Sequence, residues 1–347
     1  MNPWVIFIVI ASLGLGTTIT FASSHWLMAW MGLEINTLAI IPLMAQHHHP
    51  RAVEATTKYF LTQAAAAALV LFATTSNAWL LGEWHIQQLS HPVAATTAMV
   101  SLGMKVGLAP THLWLPEVLQ GLDLMTGLIL STWQKLAPMI LIYQLTPNVN
   151  HTIMLLIGIA SALIGGWGGL NQTQLRKILA YSSIAHMGWM MIVLKYYPNL
   201  MLLNLMIYII MTSTAFLTLK TVSATSMNGL AMVWAKAPTL ISITMLTMLS
   251  LGGLPPLTGF MPKWLILQEL ANQGLPTTAT VMALAALLSL FFYLRLCYNM
   301  ALTSGPSTNN NTAPWRLKPI TNTPLPLMAA ISLLMLPATP AAIALLM

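Results

Sequence analysis

Residues 237–268 read APTLISITMLTMLSLGGLPPLTGFMPKWLILQ and contain one charged side chain, that of Lys263. A helix crosses the roughly 30 Å hydrocarbon core of a membrane in about 20 residues, so this apolar segment is too long for one straight crossing. It is also interrupted by glycine and proline, at Gly253, Pro255 and Pro256. The segment predicts a discontinuous membrane helix, whose unwound backbone must face protein or water because lipid offers no hydrogen-bond partners.

A second segment of the same kind covers residues 92–120, where only Lys105 and Glu117 are charged. Its breaking residues are Gly107 and Pro110. A plain proline kink beside a re-entrant loop is the alternative for either segment taken singly. It is weaker for the pair, because each segment carries a lysine near its break. In transporters, discontinuous helices at corresponding positions of two repeats mark the binding site.

The composition of the whole chain excludes a soluble enzyme. Of its 347 residues, 57% are hydrophobic and 5% are charged, against about 25% charged residues in an ordinary soluble domain. The basic residues behind the net charge of +7 are scattered, which argues against a nucleic-acid partner. The single cysteine, Cys297, cannot by itself hold a structural zinc or an iron–sulfur cluster. The sequence also lacks the G-x-G-x-x-G and P-loop motifs of nucleotide sites.

Apolar windows of spanning length predict an all-α polytopic membrane protein with eleven transmembrane helices. The spans are placed near residues 3–22, 25–45, 58–82, 93–112, 124–146, 150–170, 174–194, 200–222, 238–262, 275–299 and 324–346. The broken segments are the fourth element of spans one to five and of spans six to ten, and two five-span halves start on opposite sides of a membrane. The expected domains are a first five-helix repeat (1–146), a second, inverted repeat (147–300), a polar loop (301–323) and a C-terminal transmembrane helix (324–347).

Basic residues are distributed unevenly between the predicted loops. The loops on the side of the N-terminus carry Arg51, Lys58, Arg176, Lys177, Lys220, Lys236, Arg295, Arg316 and Lys318. The loops on the other side carry Lys195 alone. Because Lys and Arg accumulate on the cytoplasmic or matrix side of a membrane protein, the N-terminus and the loop of residues 301–323 are expected there, and the C-terminus on the opposite side.

Four charged side chains are predicted at membrane depth: Glu34, Lys105, Lys135 and Lys263. A charge at mid-bilayer costs at least about 2.5–3.5 kcal/mol and marks a functional site by default. We expect Glu34 to hold Lys105 protonated when the two are close, and to release it when its own charge is compensated. Protons would then move among the three lysines and the region of His186. The alternative is that Glu34 and one lysine form a static salt bridge while the other lysines extend toward the interface.

Weaker candidates for a proton relay lie in the seventh span, where His186, Ser182 and Ser183 form a polar stripe at helical spacing. A hydrogen-bonded contact between helices is an equal alternative for them. His112 follows Pro110 and is a further relay candidate, leading from the membrane interior toward the aqueous side.

Two features near the predicted interfaces are also candidates for binding. The three histidines at positions 47–49 resemble a metal-binding tract, but they lie in a basic loop, so a solvated loop without metal is expected. Arg176 and Lys177 are placed at the interface, where they would meet anionic lipid.

Four motifs follow one another along the chain. They are Gly32-Leu33-Glu34-Ile35-Asn36, Gly103-Met104-Lys105 leading to Pro110-x-His112-x-Trp114-Leu115-Pro116-Glu117, residues 175–188 (LRKILAYSSIAHMG) and residues 253–260 (GLPPLTGF). Together they resemble the antiporter-like subunits of respiratory complex I, over essentially the whole chain. The wider family has fourteen helices, and eleven is similar to the vertebrate form, which lacks the first three.

The resemblance implies a proton-translocating module of a multi-subunit NADH:ubiquinone reductase in the mitochondrial inner membrane. Glu34 matches the family's key glutamate and Lys105 its partner lysine. Lys135 matches the central lysine, and Lys263 the distal charged residue. The resemblance also implies that NADH, FMN, iron–sulfur clusters and ubiquinone are bound by other subunits. The implied partners are core and accessory subunits, including neighbouring antiporter-like and small membrane subunits, and membrane lipids such as cardiolipin.

Two other functions stay open at the level of the sequence. A free-standing cation/proton antiporter would share the helices and the lysines, and it would be active outside a larger assembly. A structural or assembly subunit would use the same charges as static ion pairs, and neutral substitutions in it would leave pumping unchanged.

Overall fold

The computed structural model describes residues 2–46, 49–233, 238–302 and 324–346. Most of these residues are helical, and the extended pairing within them consists of isolated bridges such as that between His25 and His85. The chain divides into two units, Met1–Ser161 and Ala162–Met347. This boundary lies inside a helix and later than the predicted repeat boundary at residue 146, and the two inverted repeats stay a prediction.

The described part of the first unit is built from eight helices, the last of which runs across the boundary. They are α1 (Pro3–Ala22), α2 (Trp26–Met44), α3 (Pro50–Leu81), α4 (Pro92–Val106), α5 (Trp114–Gly121), α6 (Leu124–Ser131), α7 (Trp133–Leu145) and α8 (His151–Gly169). Two glycines let α1 approach α2 closely: a Cβ atom on Gly32 would come within 2.9 Å of the carbonyl oxygen of Gly16. This small-residue contact positions the helix that carries Glu34.

The described part of the second unit contains eight further helices. They are α9 (Leu175–Val193), α10 (Pro198–Val222), α11 (Met227–Val233), α12 (Pro238–Gly252), α13 (Phe260–Asn272), α14 (Pro276–Leu302), α15 (Pro324–Leu334) and α16 (Thr339–Leu346). Buried threonines of α10 satisfy their hydroxyl groups within their own helix, as where Thr214 Oγ1 donates to the Met211 carbonyl at 2.7 Å. Such bonds let polar side chains enter an apolar interior at little cost.

Apart from the seven-residue helix α11, the helices in the described part of the chain form eleven groups that match the eleven predicted spans. Among the described residues, seven segments are long and apolar enough to cross a membrane: α1, α2, α3, α6–α7 with the turn that follows it, α8, α10 and α14. α9 and the helix pairs α4–α5, α12–α13 and α15–α16 make up the other four. The predicted all-α polytopic fold is confirmed.

Both predicted breaks are present, and they share one local structure. α4 is followed by Gly107, which has φ +88°, and α12 is followed by Gly253, which has φ +80°. After each glycine, the amide of the following leucine donates to the carbonyl five residues before it, at 2.9 and 3.3 Å. A side chain strains the backbone at such φ values, so glycine is required at both helix ends.

The two breaks also correspond in sequence register. Prolines occupy the third and ninth positions after the glycine, Pro110 and Pro116 in the first break and Pro256 and Pro262 in the second. In this register Lys263 corresponds to Glu117, ten residues after the glycine, whereas Lys105 lies two residues before its glycine. The two lysines therefore lie on opposite sides of their breaks.

The fifth predicted span, residues 124–146, is interrupted rather than continuous. Thr132 has φ −113° and ψ −71° and separates α6 from α7. Pro138 contributes to the irregularity, because it has no N–H to donate to the Gln134 carbonyl and its ring crowds that oxygen. As a result, Lys135 lies in the first turn of a helix rather than in the middle of one.

The last predicted span, residues 324–346, is also divided. α15 ends at Leu334, and a 3₁₀ turn at Leu336–Ala338 precedes α16. Pro337 within this turn cannot donate a helical hydrogen bond, which explains the interruption. The sequence did not predict α11, and α3 begins at Pro50, earlier than predicted. Most of the predicted polar loop lies outside the described residues.

Candidate functional site

Glu34 lies near the middle of α2, the helix that the glycine contact holds against α1. Its side chain is half-buried, and its Oε2 atom has no hydrogen-bond partner in the described part of the chain. When it is ionised, its charge is close enough to act on two buried side chains of the same unit, Tyr59 and Lys105. Burying a carboxylate without hydrogen-bond partners costs desolvation free energy, so its electric field on neighbouring groups is the expected reason for its presence.

Lys105 lies in the last turn of α4, just before the capping Gly107. The residue is 7% exposed, and its Nζ atom has no hydrogen-bond partner among the described residues. No hydrogen bond therefore joins it to Glu34, and the two interact through the field of their charges. The carbonyls at the end of α4 form the negative end of the helix dipole, which favours a positive charge at this position.

Lys105 and Lys135 line the same small cavity in the first unit. The space open to the centre of a water molecule is about 20 Å³, and about 10–15 Å³ of such space is enough for one water. The polar side chains around the cavity come from α2, α3, α4 and α7 and are those of Asn36, Thr37, Tyr59, Gln63, Lys105, Gln134 and Lys135. The structure thus brings two of the predicted lysines together around room for one water molecule.

Two amide side chains at this cavity are buried with unpartnered atoms. Both polar atoms of Asn36 and the Nε2 atom of Gln63 lack a hydrogen-bond partner within the described residues. Gln134 is better satisfied, since its Nε2 donates to the main-chain oxygen of Asn36 at 3.1 Å. Buried amides of this kind usually bond to ordered water, which agrees with the size of the cavity. The sequence reasoning missed Gln63 and Gln134, although a glutamine within an apolar helix is a visible signal.

Lys263 lies in the first turn of α13, and it is tied to the end of α12. Its Nζ atom donates to the carbonyl of Gly252 at 2.8 Å, and the residue is 9% exposed. A Cβ atom on Gly253 would approach the Lys263 side chain to 2.9 Å at Cδ and 3.0 Å at Nζ. The break therefore accommodates Lys263 in two ways. The Gly252 carbonyl accepts a hydrogen bond from its amine, and the absence of a side chain at Gly253 leaves room for it.

His186 and Lys263 line one pocket of the second unit. Ser182, Ser289 and Tyr293 contribute to the same pocket, which has no space for the centre of a water molecule. The His186 ring also lies 5.4 Å from the ring of Tyr208 on α10. The second site is therefore packed, unlike the cavity of the first unit, and a water can enter it only if these side chains move.

The serine and histidine candidates differ in how they are placed. The hydroxyl groups of Ser182 and Ser183 donate to carbonyls of their own helix at 2.8 and 2.7 Å, and only Ser182 lines the pocket with His186. His112 is buried, with Nδ1 3.2 Å from the Pro110 carbonyl, and it does not line the cavity of the first unit. These relay roles stay predictions.

A charge cluster that the sequence reasoning missed lies on the surface of the first unit. Lys58 of α3 contacts Glu54 and Glu117 at 2.8 Å each, and all three side chains are substantially exposed. Glu54 and Lys58 are four residues apart on a helix, a spacing that predicts the contact between them. Exposed ion pairs contribute little stability, and the cluster is separate from the buried lysines.

The interfacial candidates are only partly described. His47 and His48 lie outside the described residues, whereas His49 caps α3 by accepting from the Arg51 amide at 3.2 Å. No group of three or more potential metal ligands occurs in the described ranges. Arg176 and Lys177 are half-buried at the start of α9.

Comparisons with known proteins agree with this architecture. A family model described as NADH:quinone oxidoreductase/Mrp antiporter, transmembrane, matches residues 23–289, and one described as NADH dehydrogenase subunit 2 C-terminus matches residues 290–343. The chain is 66% identical to NADH-ubiquinone oxidoreductase chain 2 of Salmo salar over 342 residues, which cover 98% of each chain. It is 68% identical to the protein of the same description from Formosania lacustris over 346 residues, 99% of each.

The fold is also found in a solved respiratory complex. A chain of respiratory complex I from Thermus thermophilus superposes with a TM-score of 0.83 and 26% identity, over 97% of this chain and 80% of that one. The family matches together span nearly the whole sequence. The chain therefore belongs to the NADH:quinone oxidoreductase/Mrp antiporter transmembrane family, among the NADH-ubiquinone oxidoreductase chain 2 proteins.

Proposed function

We propose that this chain is a core membrane subunit of the respiratory NADH:ubiquinone oxidoreductase, complex I, and that it translocates protons. The observation that carries the proposal is the cavity of the first unit, where Lys105 and Lys135 face room for one water molecule. A lysine amine can take up and release a proton, and a single water can connect two such amines. Static packing of ion pairs would not require an unbonded lysine beside a space that can hold a water molecule.

In the proposed mechanism, Glu34 sets the charge balance at Lys105. No hydrogen bond joins the two residues, so a change in the charge near Glu34 alters the field at Lys105 without breaking a bond. Lys105 and Lys135 exchange a proton through the water of the shared cavity. Gln63 lines the cavity and has an unpartnered Nε2 atom among the described residues, so its amide can bind this water.

Lys263 is the corresponding proton-carrying group of the second unit, with His186 as its neighbour. Its bond to the Gly252 carbonyl holds the charged amine at the break. The packed pocket must open before a proton can leave, which makes this site a gate. Ser182 lies in the same pocket and is the relay hydroxyl in this scheme.

The redox chemistry is assigned to other subunits, which bind NADH, FMN, iron–sulfur clusters and ubiquinone. One cysteine and no nucleotide motif in the sequence support this assignment. Moving one charge against 100 mV requires about 2.3 kcal/mol, and electron transfer elsewhere in the complex supplies it. In this proposal the chain lies in the mitochondrial inner membrane with its N-terminus on the matrix side, which the uneven distribution of basic residues between the loops supports. Its neighbours there are other core and accessory subunits and anionic lipids such as cardiolipin.

The test is Lys105→Met in the intact complex, with Lys58→Met as the matched control. Both remove one ammonium group, but Lys58 is exposed and lies outside the cavity. NADH oxidation by an artificial electron acceptor should be unchanged in both. The number of protons pumped per NADH in proteoliposomes should fall for Lys105→Met only. An assembled Lys105→Met complex with the full ratio would show that the lysine is structural.

A further inference from the structure

The carbonyl group of Ser332 bonds to both sides of the second break, the end of α12 and the residues just before α13. It accepts a hydrogen bond from Ser250 Oγ at 3.1 Å and a second one from Thr258 Oγ1. Ser250 belongs to the last turn of α12, and Thr258 lies just before α13. All three residues are almost completely buried. One atom of α15 therefore bonds to the chain both before and after the break.

The two sides also touch each other at this point. The Ser250 and Thr258 hydroxyl oxygens are 3.2 Å apart, and the Gly259 amide donates to Ser250 Oγ at 3.3 Å. A Cβ atom on Gly259 would overlap the Ser250 carbonyl. The segments before and after the break are thus in close backbone contact, and the Ser332 carbonyl bonds to both of them at this contact.

The Ser332 carbonyl is available because α15 ends two residues later, at Leu334. The last carbonyls of a helix have no partner within the helix and need another donor. Ser332 Oγ itself donates to the Ala329 carbonyl, so the contact with the break depends on the main chain. The division of the last span, unexpected from the sequence, thereby creates the acceptor.

The first unit provides an independent parallel. There the amide of Ala109, within the first break, donates to Ser161 Oγ of α8 at 3.0 Å. α8 is the sixth span and follows the first five, whereas α15 begins the eleventh span and follows the next five. In both cases the helix that comes after a set of five spans bonds to the broken helix of that set.

We propose that α15 is a latch on the second break, with Ser250 and Thr258 as positioning residues. The latch keeps the end of α12 at a set distance from α13, and so keeps the Gly252 carbonyl within reach of Lys263 Nζ. This role rests on the proposed function insofar as Lys263 carries protons. Whether α15 holds the break together can be measured separately, as amide hydrogen exchange in the residues of the break.

The test uses Thr258→Val in the intact complex, which keeps the shape of the side chain and removes its hydroxyl. The control is Thr247→Val, since Thr247 is buried in α12 and, within the described ranges, its hydroxyl bonds only to the Thr244 carbonyl of its own helix. Amide hydrogen exchange in residues 253–259 should rise about three- to tenfold for Thr258→Val, the effect of losing one buried hydrogen bond. Protons pumped per NADH should fall in the same variant. Thr258→Ser should restore both values, and Thr247→Val should change neither.

Two further variants separate the latch from the proposed function. Ser250→Ala removes the other hydroxyl and should raise exchange in residues 253–258, even where Thr258→Val fails to assemble. Gly259 is left out of this reading because its own amide donates to Ser250 Oγ. Unchanged exchange in the variants would overturn the latch. Raised exchange with full pumping would overturn its positioning role, provided that Lys263→Met lowers pumping. Full pumping in Lys263→Met would instead reject Lys263 as a proton carrier, while the exchange result would still decide whether α15 holds the break.

Discussion

Replacing Gly253 by alanine should uncouple Lys263 from the end of α12. Two costs arise at this position. An alanine at φ +80° is strained by about 1–2 kcal/mol. Its Cβ atom would also lie 2.9 Å from Lys263 Cδ and 3.0 Å from Nζ, so the lysine must move and lose its 2.8 Å bond to the Gly252 carbonyl. A buried hydrogen bond from a charged group contributes about 1.5–3 kcal/mol.

Gly274→Ala is the matched control for the first cost. Gly274 follows α13, has φ +71°, and has no atom within 4 Å of the position where a Cβ would lie. Both substitutions therefore strain the backbone, and only Gly253→Ala displaces the lysine. The difference of about 1.5–3 kcal/mol corresponds to a roughly 10- to 140-fold loss in the population with Lys263 bound to the carbonyl.

The assay compares the two complexes in proteoliposomes, as protons pumped per NADH oxidised at equal levels of assembled complex. We expect a lower ratio for Gly253→Ala and an unchanged ratio for Gly274→Ala. NADH oxidation by an artificial acceptor should be equal in both, because the proposed function assigns every electron carrier to other subunits. Equal pumping ratios in the two variants would show that pumping does not depend on the room that Gly253 leaves for Lys263.

Two further predictions concern the first unit and the topology. Glu34→Gln removes the charge that acts on Lys105 but keeps the shape of the side chain, so the complex should assemble and pump poorly, measured as above. The double variant Glu34→Gln with Lys105→Met should not recover pumping, and recovery would favour a static salt bridge instead. In oriented inner membranes, a tag at the C-terminus and a protease site near Arg51 should be accessible from opposite sides, and accessibility from one side would contradict the count of eleven spans.

Much of the architecture follows from local properties of the sequence. A run of apolar residues forms a helix in a membrane regardless of its neighbours, because every backbone group must be satisfied within the segment. A glycine followed by prolines ends such a helix for reasons confined to a few residues, so Gly107 and Gly253 were found without a structure. Glu34 and the buried lysines were equally visible, since an ion in an apolar run is costly wherever it lies.

Only the tertiary structure decided which of these groups meet. The shared cavity depends on the interruption at Thr132, which sets the direction of Lys135, and on Asn36 and Gln63 from two other helices. The latch depends on the main-chain oxygen of Ser332 in α15. Every residue has such an oxygen, so the sequence does not indicate which one bonds to the break. Helix formation in a membrane depends on hydrogen bonds between residues close in sequence. The pairing of polar groups depends on how each helix is rotated and shifted against its neighbours, which is set by packing.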